Sequence, residues 1–171
     1  GSNDVNYVDY DGDTVLSYAI WYKYKPMKDS KLDIIKFLVS KGANVNYRHN
    51  KDGWTPLELA CKIGHINVIK YLISKGANVN NVNKRKRTPL HEAIVSDQKN
   101  SNCNKLQIVK LLLENGADVH ADDYALKIAS ENGCVEIVKL LIESGADVHA
   151  VDDYALRVAS YNGHTEIVKL L

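Results

Sequence analysis

The sequence of 171 residues has little of the material that catalysis, metal binding or membrane insertion requires. Its three cysteines, Cys61, Cys103 and Cys134, form no Cys-x-x-Cys pair, and this odd, scattered set fits a reducing, intracellular compartment. No apolar run reaches about 18 residues and no secretory signal is visible, so we predict no membrane segment. Paired catalytic groups and a phosphate-cradling glycine motif are also lacking. We expect a cytoplasmic, non-catalytic chain without cofactor, metal or small-molecule substrate.

The whole chain has almost no excess of charge of one sign, but its two parts carry opposite net charges. The net charge is +1, with 22 basic and 21 acidic residues. From Gly116 onward there are ten acidic and four basic residues, so this part carries −6 and the rest carries +7. Such a gradient steers a charged partner without identifying it.

What the sequence does have is a repeat. The motif Gly-Ala-(Asn/Asp)-Val-(Asn/His) occurs at 42–46, 76–80, 116–120 and 145–149. The valines that mark the units are 40, 34, 40 and 29 residues apart: Val5, Val45, Val79, Val119 and Val148. A period in the thirties predicts a solenoid, in which each unit buries its apolar face against its neighbours.

Each unit predicts two helices. In the second unit Thr55 is placed to cap a helix that has Pro56 at its first position, where a missing N–H costs nothing. That helix ends near Gly64, and a second helix with apolar residues at helical spacing ends at Gly76.

These residues resemble the ankyrin repeat. Residues 88–93 read Thr-Pro-Leu-His-Glu-Ala and match the family's signature, and residues 55–60 differ from it at the histidine position. Gly64-His65, Gly163-His164 and residues 110–119 match the family's turns and second helix. The resemblance implies an all-α repeat solenoid with two antiparallel helices per repeat, followed by a projecting β-hairpin finger.

The uneven spacing divides this single domain into unequal repeats, predicted at 3–43, 44–77, 78–117, 118–146 and 147–171. Repeats one and three carry seven extra residues between their helices. Repeats four and five lack four finger residues, so we predict short hairpin fingers in the N-terminal half and fingerless loops in the C-terminal half. Asp123 and Asp153 are expected to cap the helices there. The last repeat is truncated, so we expect the natural protein to continue or another chain to cover this edge.

Two segments stand out as candidate contacts. The basic run Lys84, Arg85, Lys86 and Arg87 lies at a finger tip and is interpreted as a solvated turn, a partner contact or a nuclear address. Trp21, Tyr22 and Tyr24 precede or lie in the first insertion, either as an improvised cap or as binding anchors.

Fingers and first helices line the concave face in the ankyrin family, where partners bind. The candidates that this implies are Tyr7, Tyr10, Tyr47, Arg48, Trp54, Glu58, His91 and Glu92. The position after each marker valine can be hydroxylated in the family, which adds Asn46, Asn80, His120 and His149.

The first functional hypothesis is therefore a non-catalytic scaffold that presents a concave surface to a partner protein. Alternatives are the substrate-recruiting arm of a larger protein, such as a ubiquitin-ligase adaptor, and a nucleic-acid binder through Lys84–Arg87, which has no interleaved aromatics. Residues 154–164 also resemble ankyrin arrays of giant DNA viruses, which would make the partner a host protein.

Overall fold

The computed structural model describes five stretches of the chain, and its helices form consecutive pairs. The described residues are 4–21, 30–49, 51–95, 102–121 and 124–171. Their helices are α1 (Val15–Trp21), α2 (Ser30–Ser40), α3 (Pro56–Ile63), α4 (Ile66–Ser74), α5 (Pro89–Val95), α6 (Asn102–Glu114), α7 (Tyr124–Glu131), α8 (Val135–Glu143), α9 (Ala150–Tyr161) and α10 (Thr165–Leu170).

The helices lie in two layers. The odd-numbered helices contact one another in chain order and form the inner layer, while the even-numbered helices form the outer layer in the same way. Fully buried leucines and isoleucines from both layers, such as Leu57 and Ile69, fill the space between them. Because each pair buries its apolar face against the next pair, the predicted helical repeat stack is confirmed.

The local signals explain where these helices begin and end. The Thr55 side chain accepts a hydrogen bond from the Glu58 backbone, and the Glu58 carboxylate accepts one from the Thr55 N–H at 2.7 Å. This reciprocal arrangement satisfies two backbone donors that the first helical turn leaves unpaired. Gly64 ends α3 in the left-handed conformation, at φ +79°.

The predicted β-hairpin fingers are not confirmed, because the described residues hold no strand and only one isolated bridge, between Val8 and Thr14. We call the segments 8–14, 48–54 and 82–88 fingers one, two and three. Each is a turn with a backbone hydrogen bond across its base, as from the His49 N–H to the Trp54 carbonyl at 2.8 Å. With so few residues on each side, no ladder of paired residues forms.

The fifth repeat enters its first helix without a finger. Val151, Asp152 and Asp153 have φ between +54° and +59°, so the right-handed helix begins at Tyr154. The expected cap is wrong here, because the Asp153 carboxylate pairs with the His149 ring at 2.7 Å. Asp123 lies outside the described residues.

Candidate functional site

Finger two is bonded sideways to finger one. The Tyr47 hydroxyl donates to the Gly12 carbonyl at 3.1 Å, and the His49 Nε2 lies 3.0 Å from the carbonyl of Asp11. The Lys51 ammonium also lies 2.9 Å from the Asp11 carboxylate. The first two contacts join side chains of repeat two to the backbone of repeat one, and the third joins two side chains, so all three hold the two turns together.

Finger three is bonded to finger two in the same way, so the three fingers form a row, which we call the finger row. The Arg48 guanidinium donates to the Val82 carbonyl at 2.6 Å, and the Lys84 N–H donates to the Asp52 carbonyl at 3.0 Å. Direct bonding between turns therefore replaces the hydrogen bonds that strands would have made within each finger. The row is a continuous, preorganised edge across the first three repeats.

A cavity of about 210 Å³ lies between this row and the inner helices. We call it the finger cavity, and its lining residues are Asp13, Trp21, His49, Asp52, Trp54, Leu59, Lys62 and Arg85. The Lys62 ammonium lies 4.6 Å from the centre of the Trp54 ring and 5.7 Å from that of Trp21. Trp21 is 50% exposed and Trp54 only 7%, so one ring presents a face to solvent while the other forms the floor.

The starts of α3 and α5 show how repeats two and three are capped. The Thr88 N–H donates to Nδ1 of His91 at 2.8 Å, as the Thr55 N–H does to Glu58. The family model described as ankyrin repeats (3 copies) matches residues 26–123 and 101–171. The chain belongs to the ankyrin-repeat family. A search of curated proteins finds no match.

Three predicted contact residues have structural roles in this ankyrin stack. Glu58, His91 and Glu92 are at most 2% exposed. Burial raises the pKa of Glu58 to about 7, although hydrogen bonds from Thr55 and Asn81 oppose the rise. Their burial removes all three from the accessible surface.

Burial also raises the pKa of Glu92, whose carboxylate lies 3.8 Å from the Arg87 guanidinium, and Arg87 opposes the rise. Arg87 is the one half-buried member of the basic run, whereas Lys84, Arg85 and Lys86 are exposed. The run is therefore not a uniform cationic tip: its last residue compensates a buried carboxylate.

The other predicted contacts are distributed along the finger row and the first helix. Tyr10 is fully exposed and Tyr7 is 61% exposed, whereas the Tyr47 and Arg48 side chains bridge neighbouring fingers. Tyr22 and Tyr24 lie outside the described residues. The structure thus brings Trp21, Trp54 and Arg85 together around one cavity, and it leaves Tyr7 and Tyr10 apart from that cavity.

The hydroxylation candidates Asn46 and Asn80 tie successive ankyrin repeats together. The Asn46 amide donates to the Gly76 carbonyl and accepts from the Asn78 N–H, both at 2.8 Å. Asn80 repeats this geometry on the following turn. His120 and His149 stand at the equivalent positions, and the structure adds the Asp153 contact to His149 described above. Hydroxylation at these four positions stays a prediction.

No group of three or more histidine, cysteine or acidic residues suited to a metal lies within the described ranges. Burial raises the pKa of the Cys61 and Cys134 thiols, which disfavours the reactive thiolate. None of the helices described above is long and apolar enough to span a membrane. The comparisons do not bear on the resemblance to giant-virus arrays, which stays an interpretation of the sequence.

Sequence reasoning missed a second cavity, in the fingerless half, which we call the tyrosine cavity. Its volume is about 230 Å³, and Tyr124, Lys127 and Tyr154 contribute to its lining. The available signal was the spacing Tyr-x-x-Lys at 124–127 and Tyr-x-x-Arg at 154–157, at the start of two successive first helices.

Proposed function

We propose that this chain binds a partner protein through the finger cavity and the adjoining finger row. Ankyrin repeats generally mediate protein–protein interaction, and the family is typically non-catalytic. The observation that carries the proposal is the exposed face of Trp21 beside Lys62, Trp54 and Arg85 around one cavity. Tryptophan and arginine supply a large share of binding energy at protein interfaces.

Rigidity supports the same surface. The hydrogen bonds between fingers fix the cavity rim before a partner arrives, so little conformational entropy is lost on binding. A partner would therefore meet a surface that is already shaped, and affinity would depend on the fit of a few anchors.

Charge favours an acidic partner. Lys84, Arg85 and Lys86 are exposed beside the cavity, in the part of the chain that carries +7. Asp13 and Asp52 also line the cavity, so the opposing surface requires local donors as well as carboxylates. Complementary charge of this kind raises association rates and suppresses wrong partners.

Affinity capture from cell lysate tests the proposal with a double variant, Trp21→Ala with Arg85→Ala. The matched control is Phe37→Ala with Lys41→Ala, an aromatic–cation pair on the outer layer, in which the ammonium lies 5.5 Å from the ring centre. We expect the first variant to lose the captured protein and the control to keep it. Equal capture by both variants, each folded by circular dichroism, would contradict the proposal.

Salt dependence separates this function from nucleic-acid binding. A protein partner held by anchors in a cavity should dissociate only modestly faster as salt rises. Binding of random oligonucleotides through the basic run would weaken by about one decade of affinity per decade of salt for each phosphate contact. Tight, steeply salt-dependent oligonucleotide binding by the chain, lost in Lys84→Ala with Lys86→Ala, would favour the nucleic-acid alternative.

A further inference from the structure

The fingerless half has its own built surface, in which rings and cations alternate. The Lys127 ammonium lies 4.5 Å from the centre of the Tyr124 ring and 4.0 Å from that of Tyr154. The Arg157 guanidinium lies 5.3 Å from the same Tyr154 ring. His91 of the preceding repeat meets Tyr124 edge-on at 5.8 Å, so the series crosses three repeats on the inner layer.

This surface replaces the cap of the fingered repeats. Counting back from Ala60 of repeat two and the equivalent Ala129 of repeat four, Tyr124 and Lys127 stand where repeat two has Thr55 and Glu58. Tyr154 and Arg157 make the same double replacement in repeat five. In repeat two these positions are buried, whereas in the shortened repeats Tyr124, Lys127 and Tyr154 are half-buried and Arg157 is exposed.

The tyrosine cavity lies beside these replaced positions, and most of its wall is apolar. The lining residues are Tyr124, Leu126, Lys127, Asp147, Ala150, Val151, Tyr154 and Ala155. A volume of about 230 Å³ suits one large side chain better than a drug-sized ligand, for which about 300 Å³ or more is usual. A partner would therefore insert a single residue rather than a cofactor-sized group.

The cations beside this cavity have no carboxylate partner among the described residues. Within the stretches that the structure describes, no carboxylate oxygen lies within 4.0 Å of the Lys127 ammonium or the Arg157 guanidinium. This is notable because the same half carries −6. Two of its acidic groups are hydrogen-bonded to His149: Asp153 to the ring, and the Asp147 carboxylate, which also lines the cavity, to the N–H at 2.9 Å.

We propose that the tyrosine cavity is a second protein-binding site, which takes a peptide segment of a partner with an aromatic side chain next to a carboxylate. The aromatic ring enters the cavity against Tyr124, Tyr154 and the apolar wall. The neighbouring carboxylate binds Arg157 and Lys127, which no carboxylate of the described residues approaches within 4.0 Å. This site shares no residue with the finger cavity, so it goes beyond the function proposed above.

Blocked dipeptides test the chemistry directly. The probe is acetyl-Phe-Asp-amide, and acetyl-Ala-Asp-amide and acetyl-Phe-Lys-amide are the controls for ring and charge. Binding is followed by the backbone amide shifts of Lys127, Val151 and Tyr154 in the ¹⁵N-labelled chain. For a probe this small, we expect a dissociation constant on the order of 1 mM. Both controls should bind at least about fivefold more weakly.

Two variants locate the site, and two others serve as controls. Arg157→Gln should weaken acetyl-Phe-Asp-amide about five- to tenfold, and Ala150→Leu, which fills the cavity, should abolish the shifts. Lys169→Gln removes an exposed cation of the same half outside the cavity and should leave binding unchanged. The finger variant Trp21→Ala with Arg85→Ala should also leave it unchanged, so the two sites fail independently.

The following results would overturn the proposal. Stronger binding of acetyl-Phe-Lys-amide would show that Asp147 and the surrounding acidic groups dominate, and would overturn the carboxylate assignment. Shifts that are absent at the probe's solubility limit, or that persist in Ala150→Leu, would remove the cavity as the site. Because Arg157 is exposed, its variant is not expected to disturb the fold that these comparisons require.

Discussion

The fingered and fingerless halves differ in the residues that stand at the start of the first helix of each repeat. In repeat two the first helix begins with a threonine and a carboxylate that cap it, and both are buried, with the amide of Asn81, just before finger three, donating to the carboxylate. In repeats four and five the finger is shortened, and tyrosine and a cation stand at those positions. The difference shows that covering a helix start permits a buried polar cap, whereas exposing it favours amphipathic side chains with an apolar body and a charged tip.

The comparison predicts that the two halves respond unequally to removal of their central ring. Trp54→Ala should lower the free energy of unfolding by about 3–5 kcal/mol, because the ring is almost wholly buried. Tyr154→Ala should cost roughly 1–2 kcal/mol, because that ring is only partly buried. Urea unfolding followed by circular dichroism measures both values. Equal losses would mean that the finger does not add to burial.

The next largest difference between the halves should be the pH dependence of stability that the helix cap of repeat two causes. Glu58 has a pKa of about 7 in the fold, above its unfolded value, so its favourable contribution is complete below about pH 4.5 and is lost as pH rises through 7. Glu58→Gln does not titrate and should gain roughly 2–3 kcal/mol of unfolding free energy relative to the original chain between pH 5 and pH 8.

Urea titrations at several pH values measure that gain. Glu143→Gln, at an exposed position of the fingerless half, serves as the matched control. If the difference in unfolding free energy between the Glu58 variant and the original chain does not change with pH, burial does not favour the neutral form of the Glu58 carboxyl.

The asparagines that bond successive repeats allow the turns of the two halves to be compared. Asn46→Ala removes a donor and an acceptor that bond the next repeat, and it should cost about 1–2 kcal/mol. His120→Ala, at the equivalent position in the fingerless half, should cost less than about 0.5 kcal/mol, since its ring makes no hydrogen bond to the residues described here. Thermal and urea unfolding measure both, and a larger loss for His120 would reverse the proposed order.

The smallest effect concerns the backbone that replaces the finger. Asp152 has φ +59°, where a residue with a side chain carries a cost of roughly 1–2 kcal/mol and glycine does not. Asp152→Gly should therefore raise the unfolding free energy by about 1 kcal/mol. Asp152→Ala removes the same charge without relieving the strain, and it should give no gain. If the two variants are equally stable, the effect comes from removing the charge and not from relieving backbone strain.

Much of the stack follows from local signals in the sequence. Thr55, Pro56 and Gly64 determine where α3 begins and ends through capping, a fixed φ and a left-handed end, all of which are short-range effects. Thr88 and Pro89 give the same start signals in repeat three, and Gly133 and Gly163 follow the first helices of repeats four and five in the left-handed conformation. The pairing of these helices could therefore be predicted without long-range information.

The fingers and the cavities could not be predicted in that way. A strand needs a ladder, and whether each turn makes one depends on its neighbours: Arg48 and Asp52 bond to finger three instead. The burial of Glu58 depends on Asn81 of the next repeat. The tyrosine cavity likewise requires Tyr124 and Tyr154 of successive repeats to lie beside one Lys127, which no single repeat encodes.

The asparagine bridges also define how the stack would respond to a stretching force. Asn6, Asn46 and Asn80 each make two hydrogen bonds to the turn that follows, so the first three junctions are fastened twice along one edge. The next junction has His120 in that place. Under tension applied at the two ends, rupture should start at the junction after repeat four and proceed toward the N-terminus, which makes the fingered half the last part to extend.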